Sequence, residues 1–246
     1  MRDWQGKTYW IVGASEGLGR AVAEAMSKFG VNLILSARSE DRLAELADQV
    51  PSKARVVPLD VTDQQSVEAA AAEAGPVDGM VYLAGVYWPM ESAEWDAEKA
   101  IKMTEVNYIG AQRVVGAVLP GMVERNAGHI VLTGSLSGFR GLPGAQGYVP
   151  SKAAVMSMAE CLRADLRNTQ IDVQLVNPGF VKTRLTDKND FSMPMIMEPE
   201  DAAREYVEHM NGDRFSTNFP TAMGLMLRAS QFLPNALYFP IVGGRK

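Results

Sequence analysis

Short apolar runs alternate with stretches of helical period along most of this 246-residue chain. Residues 7–12 and 31–36 read as strands. The second, V-N-L-I-L-S, is almost continuously apolar, as a strand covered on both faces requires. Between them, residues 20–29 carry a helical pattern that stops at Gly30. Further on, helices are predicted over 40–50, 63–74, 148–167 and 200–210, and strands over 55–59, 77–84, 128–133, 171–176 and 215–220. Residues 97–125 support one long helix, with a bend expected at Pro120. Pro150 is tolerated because it falls in a first helical turn. Strand–helix units joined by short links predict an α/β fold: a doubly wound parallel sheet of about seven strands in three α/β/α layers. Its crossovers should be right-handed and its ligand site at the carboxyl ends of the strands.

Composition narrows the class. A chain 47% hydrophobic and 22% charged is ordinary for a soluble globular protein, and its length suits one domain over residues 1–246. The net charge of −5 and the lack of a basic run argue against a nucleic-acid partner. A lone cysteine, Cys161, excludes an internal disulfide, suits a reducing compartment and reads as packed within a helix. The N-terminal residues lack the apolar core of a signal peptide, and no stretch of about 18–20 apolar residues offers a membrane span, so the expected location is the cytoplasm. Two histidines, His129 and His209, with no Cys/His cluster leave no metal site.

Candidate chemistry begins with G-A-S-E-G-L-G, residues Gly13 to Gly19, set between the first strand and the first helix. Glycines at Gly13, Gly17 and Gly19 permit a tight turn, let backbone approach a pyrophosphate, and present helix N–H groups to the anion. This is the phosphate cradle of a Rossmann-like dinucleotide fold. After the second strand such folds often place a carboxylate on the ribose hydroxyls, whereas an arginine accommodates a 2′-phosphate. Here the order is Ser36-Ala37-Arg38. Arg38 can fork onto a phosphate, with Ser15 adding a hydroxyl, so NADP(H) is favoured over NAD(H). Glu16, inside the turn, works against an extra phosphate. Asp60, at a strand end, suits either an adenine amino group or the cap of the next helix.

Tyr148 and Lys152 lie four apart, so one helix face carries both. A phenol of ordinary pKa about 10 is a poor proton carrier at neutral pH, and an ammonium one turn away should lower it. Ser135, thirteen residues before Tyr148, can hold a substrate oxygen from the other side. Asn107 falls inside a helix, where an amide is mildly unfavourable and invites a reason.

Taken together, these residues resemble the short-chain dehydrogenase/reductase family over about residues 6–184. The signals, in order, are G-x-x-x-G-x-G, the L-D-V ending at Val61, the mid-helix Asn107, Ser135, Y-x-x-x-K at Tyr148 and Lys152, and N-P-G-x-V-x-T ending at Thr183. The resemblance implies that Tyr148 is general acid in reduction and base in oxidation. Lys152 would lower its pKa and hold the nicotinamide ribose, and Ser135 would bind the reacting oxygen. Asn107 would bend its helix and position a relay water. The cofactor would also meet Leu18, Asp60, Val61, Ala84 and Gly85, with Pro178, Gly179, Val181 and Thr183 at the nicotinamide end. Three positions depart from the family pattern. Val12 stands where the family has Thr, and Tyr82-Leu83-Ala84-Gly85 replaces N-N-A-G, so Leu83 removes a bracing amide.

Residues 184–200 read as a lid over the substrate, with Phe191, Met193, Met195, Ile196 and Met197 suited to an apolar, shape-variable ligand or to packing on a partner. Tyr87, Trp88, Phe139 and Leu142 would add apolar wall. The tail, 221–246, diverges from the family. It would cover the pocket, pack on another subunit, or rest on a membrane surface. The expected function is hydride transfer between NADP(H) and a carbonyl/alcohol pair on a mostly apolar small molecule, in a homodimer or homotetramer. The alternatives are an NAD-dependent alcohol dehydrogenase of the same fold and a non-catalytic nucleotide-sensing or scaffold protein.

Overall fold

The computed structural model describes residues 2–243, so the last three residues of the expected tail lie outside the described residues. Seven strands form one parallel sheet: β1 (Thr8–Val12), β2 (Asn32–Ser36), β3 (Ala54–Val56), β4 (Gly79–Tyr82), β5 (Gly128–Thr133), β6 (Ile171–Pro178) and β7 (Ser216–Phe219). Their order is β3-β2-β1-β4-β5-β6-β7, so the strand sequence reverses direction between β1 and β4. Successive strand residues point to opposite faces. Tyr9 and Ile11 therefore enter one buried layer with Leu33, Leu35, Val81 and Val131. Trp10 and Val12 enter the other with Ile34, Met80, Ile130 and Leu132.

Helices α1 (Gly17–Ser27) and α2 (Glu40–Gln49) cover the first layer, and α3 (Gln64–Ala74) covers the second. The first helix begins at Gly17, inside the glycine turn. The long helix expected over 97–125 is interrupted. It divides into α4 (Ala97–Thr104), a π turn (Glu105–Ile109) and α5 (Gly110–Glu124). The break falls at Asn107, and Pro120 lies within the continuous α5. The helix changes type at the buried Asn107, where the resemblance implies a bend, and runs on through Pro120. Helix α6 (Tyr148–Asp165) packs with α5 on the second face, and α7 (Pro199–Met210) lies beside α1 on the first. Cys161 is exposed on α6, not packed as expected, because the buried stripe of that helix passes through Val155 and Ala159 instead. The tail folds into two helices, α8 (Thr221–Ser230) and α9 (Asn235–Val242).

At the sheet end away from the glycine turn, a polar chain crosses the interior. The Gln174 amide N–H₂ donates to the carbonyls of His209, Gly212 and Arg214 at 3.0–3.1 Å, which leaves its oxygen to accept from His129 Nε2 at 2.8 Å. His129 Nδ1 then has to accept, and the Tyr9 hydroxyl donates to it at 2.9 Å. Every group is paired only while the imidazole is neutral, and burial pushes its pKa down to about 3. The folded state thus binds fewer protons than the unfolded state between about pH 3 and the ordinary value of 6.5. The stability this contributes is present above 6.5 and is lost as pH falls, at up to about 1.4 kcal/mol per pH unit. Urea denaturation of wild type and His129→Gln between pH 7 and 4 should show a steeper loss in the wild type; parallel profiles would contradict it.

Candidate active site

The first feature of the site is a close approach of two strand ends. Gly13 follows β1 with φ +98°, and a Cβ there would lie 2.4 Å from the Ala84 nitrogen beyond β4. A Cβ on Gly19 would lie 2.0 Å from the Gly13 carbonyl oxygen. Both positions need glycine for space, and Gly13 also for its backbone conformation. Together they seat the start of α1 against the point where the strand order reverses. Glu16 occupies the N-cap position but does not cap the helix. Its carboxylate turns aside to Arg42 and, at 3.1 Å, to Arg184. The first N–H groups of α1 are left for an anion in the adjoining cleft, whose volume is about 1030 Å³.

That cleft is lined by Gly13, Ser15, Glu16, Gly17, Leu18 and Gly19, and at one end by Arg38, Asp60 and Val61. Ser39 and Arg42 line it too. Arg42 was not legible as a site residue: it lies inside α2, and only its pairing with Glu16 and Ser39 brings it to the cleft. Asp60 does not cap the next helix, because Asp63 does so by accepting from the Gln65 N–H at 3.0 Å. The Asp60 carboxylate instead accepts from the Thr62 N–H at 2.9 Å and the Thr62 hydroxyl at 2.8 Å. Burial works against its charge. The Thr62 bonds and the charges of Arg38 and Lys102 outweigh that and hold the carboxyl below its ordinary pKa.

Ala84 and Gly85 carry the wall past β4, and Pro178, Gly179, Val181 and Thr183 complete it beyond β6. Ser135, Tyr148 and Lys152 all line the same cleft. Ser135 lies just past β5, its hydroxyl 2.9 Å from that of Ser137, a second hydroxyl the sequence reading did not single out. Lys152 is buried, with Nζ donating to the Thr133 carbonyl at 2.9 Å. The expected fall of the Tyr148 pKa below its ordinary value does not result. Burial pushes the phenol up to about 12, with the Ser135 hydroxyl pulling the other way. The ammonium is 5.8 Å from the ring centroid and is itself lowered to about 8 by burial. Desolvation penalises both charged forms more than their mutual attraction favours them.

Asn107 is fully buried beneath this group. Its amide donates to the Val86 carbonyl at 3.1 Å and to the Ser151 hydroxyl at 2.9 Å, and its oxygen accepts from the Val86 N–H at 2.8 Å. Ser151 in turn donates to the Tyr148 carbonyl at 2.7 Å. A Cβ on Gly85 would sit 3.5 Å from the Asn107 carboxamide oxygen and 3.8 Å from Lys152 Nζ, so these two groups border one small space. Leu83 replaces a bracing amide and packs its side chain against the first core layer. The neighbouring Tyr82 hydroxyl donates to the Val106 carbonyl in the π turn at 2.6 Å, a tie between β4 and that turn.

Of the expected substrate contacts, Tyr87, Leu142 and Phe191 line the cleft, and the Tyr87 ring meets Tyr148 edge-on at 5.1 Å. Phe139 does not. It points into a separate depression of about 230 Å³ behind the site, because the short 3₁₀ turn after Ser135 rotates it away. Met193 and Met195 are also outside the cleft lining, as are Ile196 and Trp88. Met193 sulfur takes the Asn189 amide, and Met195 is exposed. The apolar wall comes instead from Leu136 and, out of the tail, from Met223, Leu227 and Val242.

Comparison with known proteins agrees with this geometry. The profile of the family described as short chain dehydrogenase matches residues 7–192. An uncharacterized oxidoreductase of Myxococcus xanthus is 36% identical over 97% of both chains. A short chain dehydrogenase/reductase from Burkholderia phymatum, solved with NAD, superposes with a TM-score of 0.85 at 28% identity, covering 93% of this chain and 94% of that one. An alcohol dehydrogenase from the archaeon Thermococcus sibiricus, complexed with 5-hydroxy-NADP, gives 0.78 at 26% identity over 87% and 96%.

Replacing Asn107 by Leu strands the Val86 backbone groups without buried partners and removes the donor to the Ser151 hydroxyl. Asn107→Leu should lose about 1–3 kcal/mol of stability in chemical denaturation. A variant as stable as wild type would show that the amide is not what holds the π turn.

Proposed function

This chain belongs to the short chain dehydrogenase family and is an NAD(P)-dependent oxidoreductase; on that premise we propose that it moves hydride between NADP(H) and the carbonyl/alcohol pair of a mostly apolar small molecule. The observation that carries the proposal is the single cleft that starts at the glycine turn and ends at Ser135, Tyr148 and Lys152. The dinucleotide, when bound, supplies or takes up the hydride. Its pyrophosphate would be held by the N–H groups of α1 and its adenosine end by Arg38, Asp60 and Val61. Pro178, Gly179, Val181 and Thr183 would shape the nicotinamide end.

The chain's own residues then handle the proton. With its pKa raised to about 12, Tyr148 is protonated at neutral pH and suits the acid role in reduction. Its hydroxyl gives its proton to the carbonyl oxygen as that oxygen gains charge, and the resulting alcohol remains against Ser135. In oxidation the phenolate accepts the alcohol proton. Lys152, charged below about pH 8, stabilises that phenolate and holds the ribose. Asn107 fixes the start of α6 through Ser151, and its carboxamide oxygen borders the space beside Nζ in which a relay water would sit.

Preference for NADP(H) is supported by the charge at the adenosine end. Arg38 and Arg42 line the cleft with Ser39, and Ser39 takes the N-cap position of α2 without capping it. Two guanidinium groups and a free helix N-terminus suit a 2′-phosphate. The Glu16 carboxylate, which works against that phosphate, is neutralised by Arg42 and Arg184. The substrate is read as apolar from Tyr87, Leu136, Leu142, Phe191, Met223 and Leu227 along the far wall.

Tyr148→Phe should abolish turnover, by a factor of at least about 10², while dinucleotide fluorescence titration stays unchanged; undiminished activity would sink the assignment. Arg38→Ala/Arg42→Ala should weaken NADPH on the order of tenfold more than it weakens NADH, since only NADPH carries the 2′-phosphate these residues would meet, whereas loss of the Arg42–Glu16 pair acts on both nucleotides alike. Equal losses for the two nucleotides would move the preference away from NADP(H).

A further inference from the structure

Ser135 opens the short 3₁₀ turn Leu136–Phe139, and that turn brings a second hydroxyl back onto the first. The Ser137 N–H donates to Ser135 Oγ at 3.2 Å, and the two hydroxyl oxygens lie 2.9 Å apart. Both side chains line the cleft. Among the described residues, Ser135 is the one hydrogen-bond partner of the Ser137 side chain. The turn itself is seated on α6. A Cβ on Gly138 would lie 3.2 Å from the Ala153 nitrogen, 3.3 Å from the Lys152 carbonyl carbon and 2.6 Å from the Met156 sulfur. Glycine there lets the turn pack against the helix that carries Tyr148 and Lys152, so Ser137 keeps a fixed place relative to both.

A hydroxyl has one proton to give and two lone pairs to accept with. On Ser135 the Ser137 N–H takes one lone pair. Two arrangements of the hydroxyl pair remain. In one, Ser135 gives its proton to Ser137 and has none left for the reacting oxygen. In the other, Ser137 gives its proton to Ser135 and fills the second lone pair. The Ser135 proton then has no direction left but the cleft, where the Tyr148 hydroxyl stands within its reach. A carbonyl oxygen only accepts, and it gains negative charge as hydride arrives, so a bound ketone selects the second arrangement. Filled lone pairs also stop Ser135 from drawing the Tyr148 proton away from the reacting oxygen. On the hydride-transfer reading above, we propose that Ser137 is a positioning residue: its N–H and hydroxyl occupy the acceptor sites of Ser135 and make Ser135 an obligate donor to the reacting oxygen. In oxidation the same order holds. Ser135 donates to the Tyr148 phenolate, and a donor behind it strengthens that bond.

The test compares Ser137→Ala, which loses the hydroxyl, with Ser137→Thr, which keeps it, both in the full chain. The probes are a panel of apolar ketones headed by acetophenone, followed by NADPH and NADH consumption, and the matching alcohols for the reverse direction. Ser137→Ala retains the N–H that caps the turn, so thermal unfolding and dinucleotide titration should match wild type. Its kcat for ketone reduction should fall on the order of fivefold, as for the loss of one neutral hydrogen bond. KM should change less, because the donor acts mostly on charge that develops in the transition state. The pH at which alcohol oxidation reaches half its plateau should rise, since the phenolate loses the donor behind Ser135. Ser137→Thr should restore both. Wild-type kcat and pH profile in Ser137→Ala, with Tyr148→Phe inactive, would overturn the proposal and leave the hydride-transfer reading standing. Equal losses in the Ala and Thr variants would also overturn it, by reducing Ser137 to packing. A wild type that binds dinucleotide and reduces no ketone of the panel would remove both.

Discussion

One buried carboxamide ties the loop after β4 to the helix that begins at Tyr148. Asn107 makes its three hydrogen bonds from within the π turn Glu105–Ile109, where the helix widens by one residue. The amide joins the loop after β4 to the first turn of α6, and Ser151 passes the connection on to the Tyr148 backbone. Because every member is satisfied in a low-dielectric interior, each bond supports the next, and losing one leaves the others costly to bury. Tyr82 adds its hydroxyl to the carbonyl of Val106 in the same turn. Tyr148 therefore starts a helix whose position is specified from two other elements.

Burial, more than pairing, sets the electrostatics around Tyr148. The phenol is pushed up and the ammonium down, since each loses hydration on entering the cleft wall and they are too far apart to compensate fully. A protonated tyrosine poised to donate follows directly. At the cleft mouth the opposite holds. Glu16 is solvated, and it meets Arg42 from α2 and Arg184 from the segment after β6. Such exposed pairs contribute little stability, but they hold the carboxylate off the helix N-terminus, where it would compete with an anion.

Part of the far wall of the cleft, Met223 and Leu227, comes from the stretch beyond the family match. Helices α8 and α9 are attached to the loop between Ser135 and Tyr148 through Arg140 and Tyr238, so the segment carrying the reacting residues also carries the substrate wall. A change of tail in this architecture changes the wall without touching the proton-transfer groups.

The sequence alone determined the elements and their alternation, because the two-residue period of strands and the 3.6-residue period of helices are local properties. It also determined the glycine turn and the spacing of Ser135, Tyr148 and Lys152, for which a strand end and one helical turn suffice. Periodicity did not reveal where the long helix breaks, and only the family resemblance pointed to Asn107. Pro120 is the visible breaker, but the partners that make Asn107 the real one lie 21 and 44 residues away. Arg42 escaped notice because its partner Glu16 is 26 residues distant. Phe139 reads as a cleft residue by position, yet a single 3₁₀ turn rotates it to the back. The direction of the phenol's pKa likewise needed the fold, since a lysine at i+4 is visible in sequence and the desolvation that outweighs it is not. Tertiary structure decided these points because each depends on which distant groups share a buried space, and no local period carries that information.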